Sequence, residues 1–163
     1  MKYRILFLIV VFLFMVGCGN DNYLSEYKAT SLQVALLEEG IITNYNFDNY
    51  DESKAKVTIY LFRGNGCSHC YDFLNFTANT LLKEYNNKIR VVSYEVWNYP
   101  KNKELMAKVK EYMGDASKTG VPYIVIGDET FYGFGDSMAD DIRSAIDKAL
   151  DSFTQYDVLE KIA

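Results

Sequence analysis

The apolar positions of this chain change period along its length, and each change predicts an element. Residues 5–16 are an uninterrupted apolar run of 12 behind Lys2 and Arg4. Val57-Thr58-Ile59-Tyr60-Leu61-Phe62 is rich in β-branched and aromatic types and carries no charge, which predicts a strand buried on both faces. Arg63-Gly64-Asn65-Gly66 then reads as a turn. From Cys70 onward the period becomes helical, with apolar or small residues at Phe73, Leu74, Thr77, Ala78, Leu81, Leu82 and Tyr85. Residues 89–96 predict a second strand, parallel to the first, and Pro100 closes the loop behind it. Leu105, Met106, Val109, Tyr112 and Met113 predict a helix with Gly114 just past its end. Tyr123-Ile124-Val125-Ile126 and Thr130-Phe131-Tyr132-Gly133 flank Gly127-Asp128-Glu129 as a hairpin. Ser137 with Asp140 is a capping pattern for a last helix, whose stripe runs Met138, Ile142, Ile146, Ala149, Leu150 and Phe153. The order βαβαββα implies an α/β fold with a central mixed sheet, parallel crossovers first and an antiparallel hairpin after. Residues 20–53 have no clean period. Leu32, Val34, Ala35, Leu36 and Leu37 fit a helix or a strand, and Gly40 ends whichever forms. The expected division is residues 1–17 as a leader, 18–53 as tether and extension, and 54–163 as the domain.

Charge and the first residues narrow the function class. The chain has 163 residues and a net charge of −5, which becomes −7 once residues 1–17, with Lys2 and Arg4 and no acid, are set aside. No basic face is visible, and phosphate neutralisation needs clustered Lys and Arg, so nucleic acid is an unsuitable partner. The fourteen tyrosines and ten phenylalanines fall mostly on the apolar phases above, which reads as core packing rather than a stacking surface. The run of 12 is short for a spanning helix and right for a signal peptide. It ends in Met15-Val16-Gly17-Cys18, which resembles the bacterial lipobox with Met15 in place of the usual Leu. That resemblance implies that Cys18 is lipidated and becomes the new N-terminus. The folded part is then expected at the extracytoplasmic face of a bacterial cell membrane, lipid-anchored, where disulfide chemistry is permitted. A plain secretory peptide or an uncleaved anchor would put it outside the cytoplasm as well.

Gly66-Cys67-Ser68-His69-Cys70 carries the chemistry. A Cys-x-x-Cys pair falls where the buried strand hands over to a helix. At a helix N-terminus unpaired N–H groups and the macrodipole favour negative charge, so a Cys67 thiolate is stabilised there. Cys70, one turn on, is close enough to form a reducible disulfide with it. A structural disulfide or half of a zinc site is the competing reading. Zinc usually takes four ligands, and the chain offers only one further cysteine, Cys18, and a single histidine, His69.

Strand, Gly-Asn-Gly-Cys-Ser-His-Cys and helix, followed by Gly120-Val121-Pro122 ahead of another apolar run, resemble the thioredoxin superfamily. They are most similar to its small extracytoplasmic bacterial members. The resemblance covers about residues 57–153. It implies that Cys67 attacks, that Cys70 resolves the mixed disulfide, and that Ser68 and His69 tune the thiolate. It also implies a cis bond before Pro122 that turns the Val121 backbone towards an extended substrate, with Gly66 and Ser68 beside it. Many members carry a buried carboxylate six residues before the first cysteine. Leu61 stands there in this chain, and Glu95 on the next strand is the candidate substitute. Reductants of the family commonly place Gly-Pro between the cysteines and its strong oxidases Pro-His. The histidine alone leads to an expectation of a pair more oxidising than thioredoxin, at about −270 mV.

The expected function is thiol–disulfide exchange with cysteine-containing exported proteins. The working unit would be a monomer, recycled by a membrane or extracytoplasmic redox partner. No cofactor or metal is called for, because both electrons reside on Cys67 and Cys70. Two rivals stay open. In one, Cys67, Cys70 and His69 capture a soft metal such as Cu(I) or zinc; in the other, the fold is a non-catalytic accessory lipoprotein.

Overall fold

The computed structural model describes residues 26–152 and 156–163. The expected leader, Cys18 and Phe153 lie outside the described residues. Five strands form one mixed sheet in the order β1-β3-β2-β4-β5. They are β1 (Ala29–Ser31), β2 (Val57–Arg63), β3 (Ile89–Glu95), β4 (Tyr123–Ile126) and β5 (Glu129–Tyr132). β2 and β3 are parallel, while β1 on β3, β4 on β2 and β5 on β4 are antiparallel. The main helices are α1 (Leu32–Glu38), α2 (Ser68–Phe76), α3 (Leu82–Tyr85), α4 (Pro100–Tyr112), α5 (Ala139–Asp151) and α6 (Val158–Ile162). The fold is therefore α/β, with a mixed sheet flanked by helices.

Alternation along the central strands sorts their side chains into two cores. Val57, Ile59 and Leu61 of β2 join Ile89 and Val91 of β3 and Ile124 and Ile126 of β4 in the core that takes α1, α2 and α5. Tyr60 and Phe62 join Tyr94, Tyr123 and Val125 in the core that takes α4 and α6. Each fully buried Leu, Ile or Phe contributes about 1.5–3 kcal/mol through burial. The helical stripe after Cys70 is buried at every position from Phe73 to Tyr85 named above. It does not form one regular helix. Thr77 Oγ1 donates to the Phe73 carbonyl at 2.8 Å, and a π turn, Thr77–Leu81, separates α2 from α3.

Several boundaries differ from the sequence expectation. Arg63 is the last residue of β2, not the first of the turn. Pro100 opens α4 at its first position, where its missing N–H costs nothing, and Tyr112 of the expected stripe is exposed. The hairpin turn is two residues, Gly127-Asp128, with Glu129 already paired to Ile126. Ser137 and Asp140 do not form a capping pair. A short 3-10 turn, Asp136–Met138, leads into α5, Met138 holds its cap position without a side-chain bond, and Asp140 instead accepts from Arg143 at 3.1 Å. Residues 29–38, unreadable from their pattern, supply an edge strand and a helix. Ser31 Oγ caps α1 by accepting from the Val34 N–H, and Leu32, Ala35 and Leu36 are buried against the sheet.

Candidate active site

The parallel pair β2 and β3 ends at one edge of the sheet, the place where connecting loops of α/β sheets gather functional groups. The alternation there turns polar. After Val57, Ile59 and Leu61, the same face of β2 presents Arg63; after Ile89 and Val91, β3 presents Ser93 and Glu95. Leu61 lies beside Ser93 and Arg63 beside Glu95. Arg63 is fully buried. Its Nε donates to Ser93 Oγ at 2.9 Å, and its Nη1 donates to Glu39 Oε1 at 2.7 Å and Asn65 Oδ1 at 2.8 Å. Nη2 pairs with Glu38. Glu38 ends α1 and Glu39 is its C-cap residue.

Those groups hold the turn that delivers the cysteines. Glu95 accepts from the N–H groups of Asn65, Trp97 and Asn98 at 3.2, 2.9 and 2.8 Å. Its carboxylate is occupied by backbone, so it braces two loops. Asn102 of α4 ties the same region together, donating to the carbonyls of Glu95 and Lys28. Gly64 is required by close approach, since a Cβ there would lie 2.2 Å from the Trp97 ring. Gly66 has φ +73°, the left-handed region that favours glycine.

Cys67 is the N-cap residue of α2, and its Sγ accepts from the Cys70 N–H at 3.4 Å. The sulfur also lies 3.8 Å from the Val121 carbonyl oxygen, across from the cis Val121–Pro122 bond. Cys67 is half-buried, Cys70 is fully buried, and both are free thiols. Burial pushes the Cys70 thiol up, with the hydrogen bond to Cys67 and the charge of Glu39 adding in the same direction. A group whose folded value is raised contributes stability that is complete below its unfolded value, about 8.5, and is lost above it. The reduced protein is therefore expected to lose stability between about pH 8.5 and 9.5, below the tyrosine range. Cys70→Ala should flatten that slope in urea unfolding, and equal slopes would assign the loss elsewhere.

His69 and Ser68 are exposed on the first turn of α2. The His69 Nδ1 meets the Phe134 carbonyl at 3.0 Å. With its proton committed there, the neutral ring leaves Nε2 as an acceptor, so a bond donated to the Cys67 sulfur would require the imidazolium. Beside Cys67 opens a groove of about 420 Å³ lined by Val96, Trp97, Lys103, Met106, Gly120 and Val121. Trp97 is 59% exposed there. Sequence reading missed Trp97, Glu39 and Arg63. The one available signal was a lone tryptophan just past the second parallel strand. Among the described residues, no group of three or more His, Cys, Asp or Glu side chains could hold a metal ion, and no helix is long and apolar enough to cross a membrane. No protein-family model matches the chain, and no curated protein matches it.

Proposed function

We propose that this chain is a thiol–disulfide oxidoreductase of thioredoxin-like fold, acting on cysteines of exported proteins from a lipid anchor at Cys18. The observation that carries the reading is the asymmetry of one helical turn. Cys67 is half-exposed at the start of α2, while Cys70 is fully buried behind it. A helix start stabilises an attacking thiolate, and a buried partner meets only what is already bound to the first sulfur.

In the reducing direction the Cys67 thiolate attacks one sulfur of a substrate disulfide and expels the other as a thiolate, which takes a proton. Cys70 then gives up its proton and attacks the Cys67 sulfur. The Cys67–Cys70 disulfide forms, the second substrate thiol leaves, and two electrons have passed to the substrate. Oxidation of a substrate dithiol is the reverse. A dithiol or disulfide partner resets the pair. The Val121 backbone, facing Cys67 beside the cis bond, and the Trp97 groove support an extended peptide lying beside Cys67, with an apolar side chain next to its cysteine.

The test uses the full chain in bacterial cells. Rapid alkylation of fractionated membranes is expected to find Cys67 and Cys70 cycling between thiol and disulfide when external oxidant or dithiol is applied. Cys18→Ala should move the protein out of the membrane fraction or leave a longer precursor. A pair that never changes state, together with copper or zinc in the purified reduced protein, would favour the metal-binding rival. Unchanged partitioning and mass of the Cys18 variant would remove the anchor.

A further inference from the structure

The side chain of Glu39 is 6% exposed, and it caps the helix α1 rather than belonging to the strand–turn–helix that carries the cysteines. Its Oε1 accepts from Arg63 at 2.7 Å, and its Oε2 accepts from the N–H of Gly66, the residue before Cys67, at 3.2 Å. Glu39, Gly66, Cys67, Ser68, Tyr71 and Asp72 line one pocket of about 360 Å³. A carboxylate that faces Arg63 on one side and the start of α2 on the other cannot be neutral in its effect on a thiolate formed there.

We propose that Glu39 is a positioning residue that sets the reduction potential of the Cys67–Cys70 pair, by holding the Gly66 turn and by placing a fixed negative charge beside the sulfur that becomes a thiolate. The proposal rests on the redox reading of the pair. Reduction of the disulfide adds two electrons; each sulfur takes up a proton unless its thiolate is stabilised by its surroundings. A neighbouring anion disfavours the thiolate, so it destabilises the reduced form and makes the pair more reducing. Arg63 acts in the opposite sense. Glu38 and Glu39 are two anions against this one cation, and removing Glu39 both deletes an anion and leaves Arg63 paired with Glu38 alone. Both changes favour the thiolate, so the sign of the effect is fixed. The charge of Glu39 also adds to the upward push on Cys70. The segment before β2, expected as tether and extension, thereby supplies a group to the turn that carries Cys67.

The experiment equilibrates the purified full chain with reduced and oxidised glutathione, for wild type, E39Q and E39D. E39Q is expected to move the equilibrium constant about tenfold towards the reduced protein, ~30 mV for this two-electron couple. Its alkylation profile should move to lower pH. E39D keeps the charge and should stay within about threefold of wild type, by the same like-charge argument. Equal constants and equal pH profiles for wild type and E39Q would reduce Glu39 to a brace for the loop, and a shift in the opposite direction would overturn the proposal outright. If E39Q does not fold, Glu38→Gln removes one of the two counter-anions of the same Arg63 and should shift the constant the same way by two- to threefold; no shift there overturns it too. A wild-type pair that never exchanges with glutathione would instead sink the redox reading, and this proposal with it.

Discussion

Cys70→Ser is expected to accumulate covalent complexes with disulfide-containing proteins, and Cys67→Ser almost none. The difference follows from exposure. The Cys67 sulfur is half-buried at the mouth of the groove, at the cap of α2, and can be reached by a substrate sulfur. Cys70 is fully buried, and its thiol is pushed up by that burial, so little of it is thiolate at neutral pH. Removing Cys70 would leave the first attack intact and block the second, and the mixed disulfide would then persist. Multiple-turnover exchange should fall by about a hundredfold or more in both variants, since the two sulfurs act as one unit. Non-reducing electrophoresis of cells lysed in acid reads the outcome. Equal trapping by the two variants would mean that the nucleophile has been misassigned. Both variants should keep their unfolding midpoints near that of the reduced parent, which separates lost chemistry from lost fold.

The second large effect is on stability. Arg63→Met is expected to cost about 3–5 kcal/mol, the range for breaking a buried ion pair by removing one partner. The guanidinium is fully buried and engages Ser93, Glu39, Asn65 and Glu38. Deleting it leaves Glu39 almost wholly enclosed and without its counter-charge. Methionine fills much of the volume, so a cavity is a minor part of the loss. Arg63→Lys should recover only part, because an ammonium cannot make the forked set of bonds to four groups. Pairing Arg63→Met with Glu39→Gln should recover more, since the unpaired charge goes as well. At a urea slope of about 1–3 kcal/mol per M, the single variant loses on the order of 2 M in its midpoint. A loss below about 1 kcal/mol would show that the network contributes little beyond its own desolvation.

The two large effects differ in how visible they were before the fold was known. The placement of the pair was legible, because a buried strand, a turn and a helical stripe meet within residues 57–85 and put Cys67 at a helix start. The stability effect was not. Arg63 reads as a turn residue until β2 is seen to run one position further. Its partners Glu38 and Glu39 follow a segment whose apolar residues fit a helix or a strand equally well. The same limit applied to Glu95. Alternation offered it either face, and the structure turns it inward to three N–H groups. His69 was legible as part of the motif, while the Phe134 carbonyl that takes its Nδ1 lies 65 positions away in the chain.

What the sequence determined by itself is what depends on one element's own exposure. The uncharged apolar run of β2 marks a strand buried on both faces. The period of 3.6 after Cys70 buries one helical face, and the turn signal after Ile126 closes a hairpin; each signal is complete within a few residues. Only the tertiary structure decided the addition of β1 and α1 to the sheet, the closure of Trp97 over Gly64, and the convergence of Glu38 and Glu39 on Arg63. The physical reason is that a charge or an aromatic ring carries no period of its own. Its orientation is chosen by the partner that satisfies it, and in this chain that partner arrives from another element only when the sheet has formed.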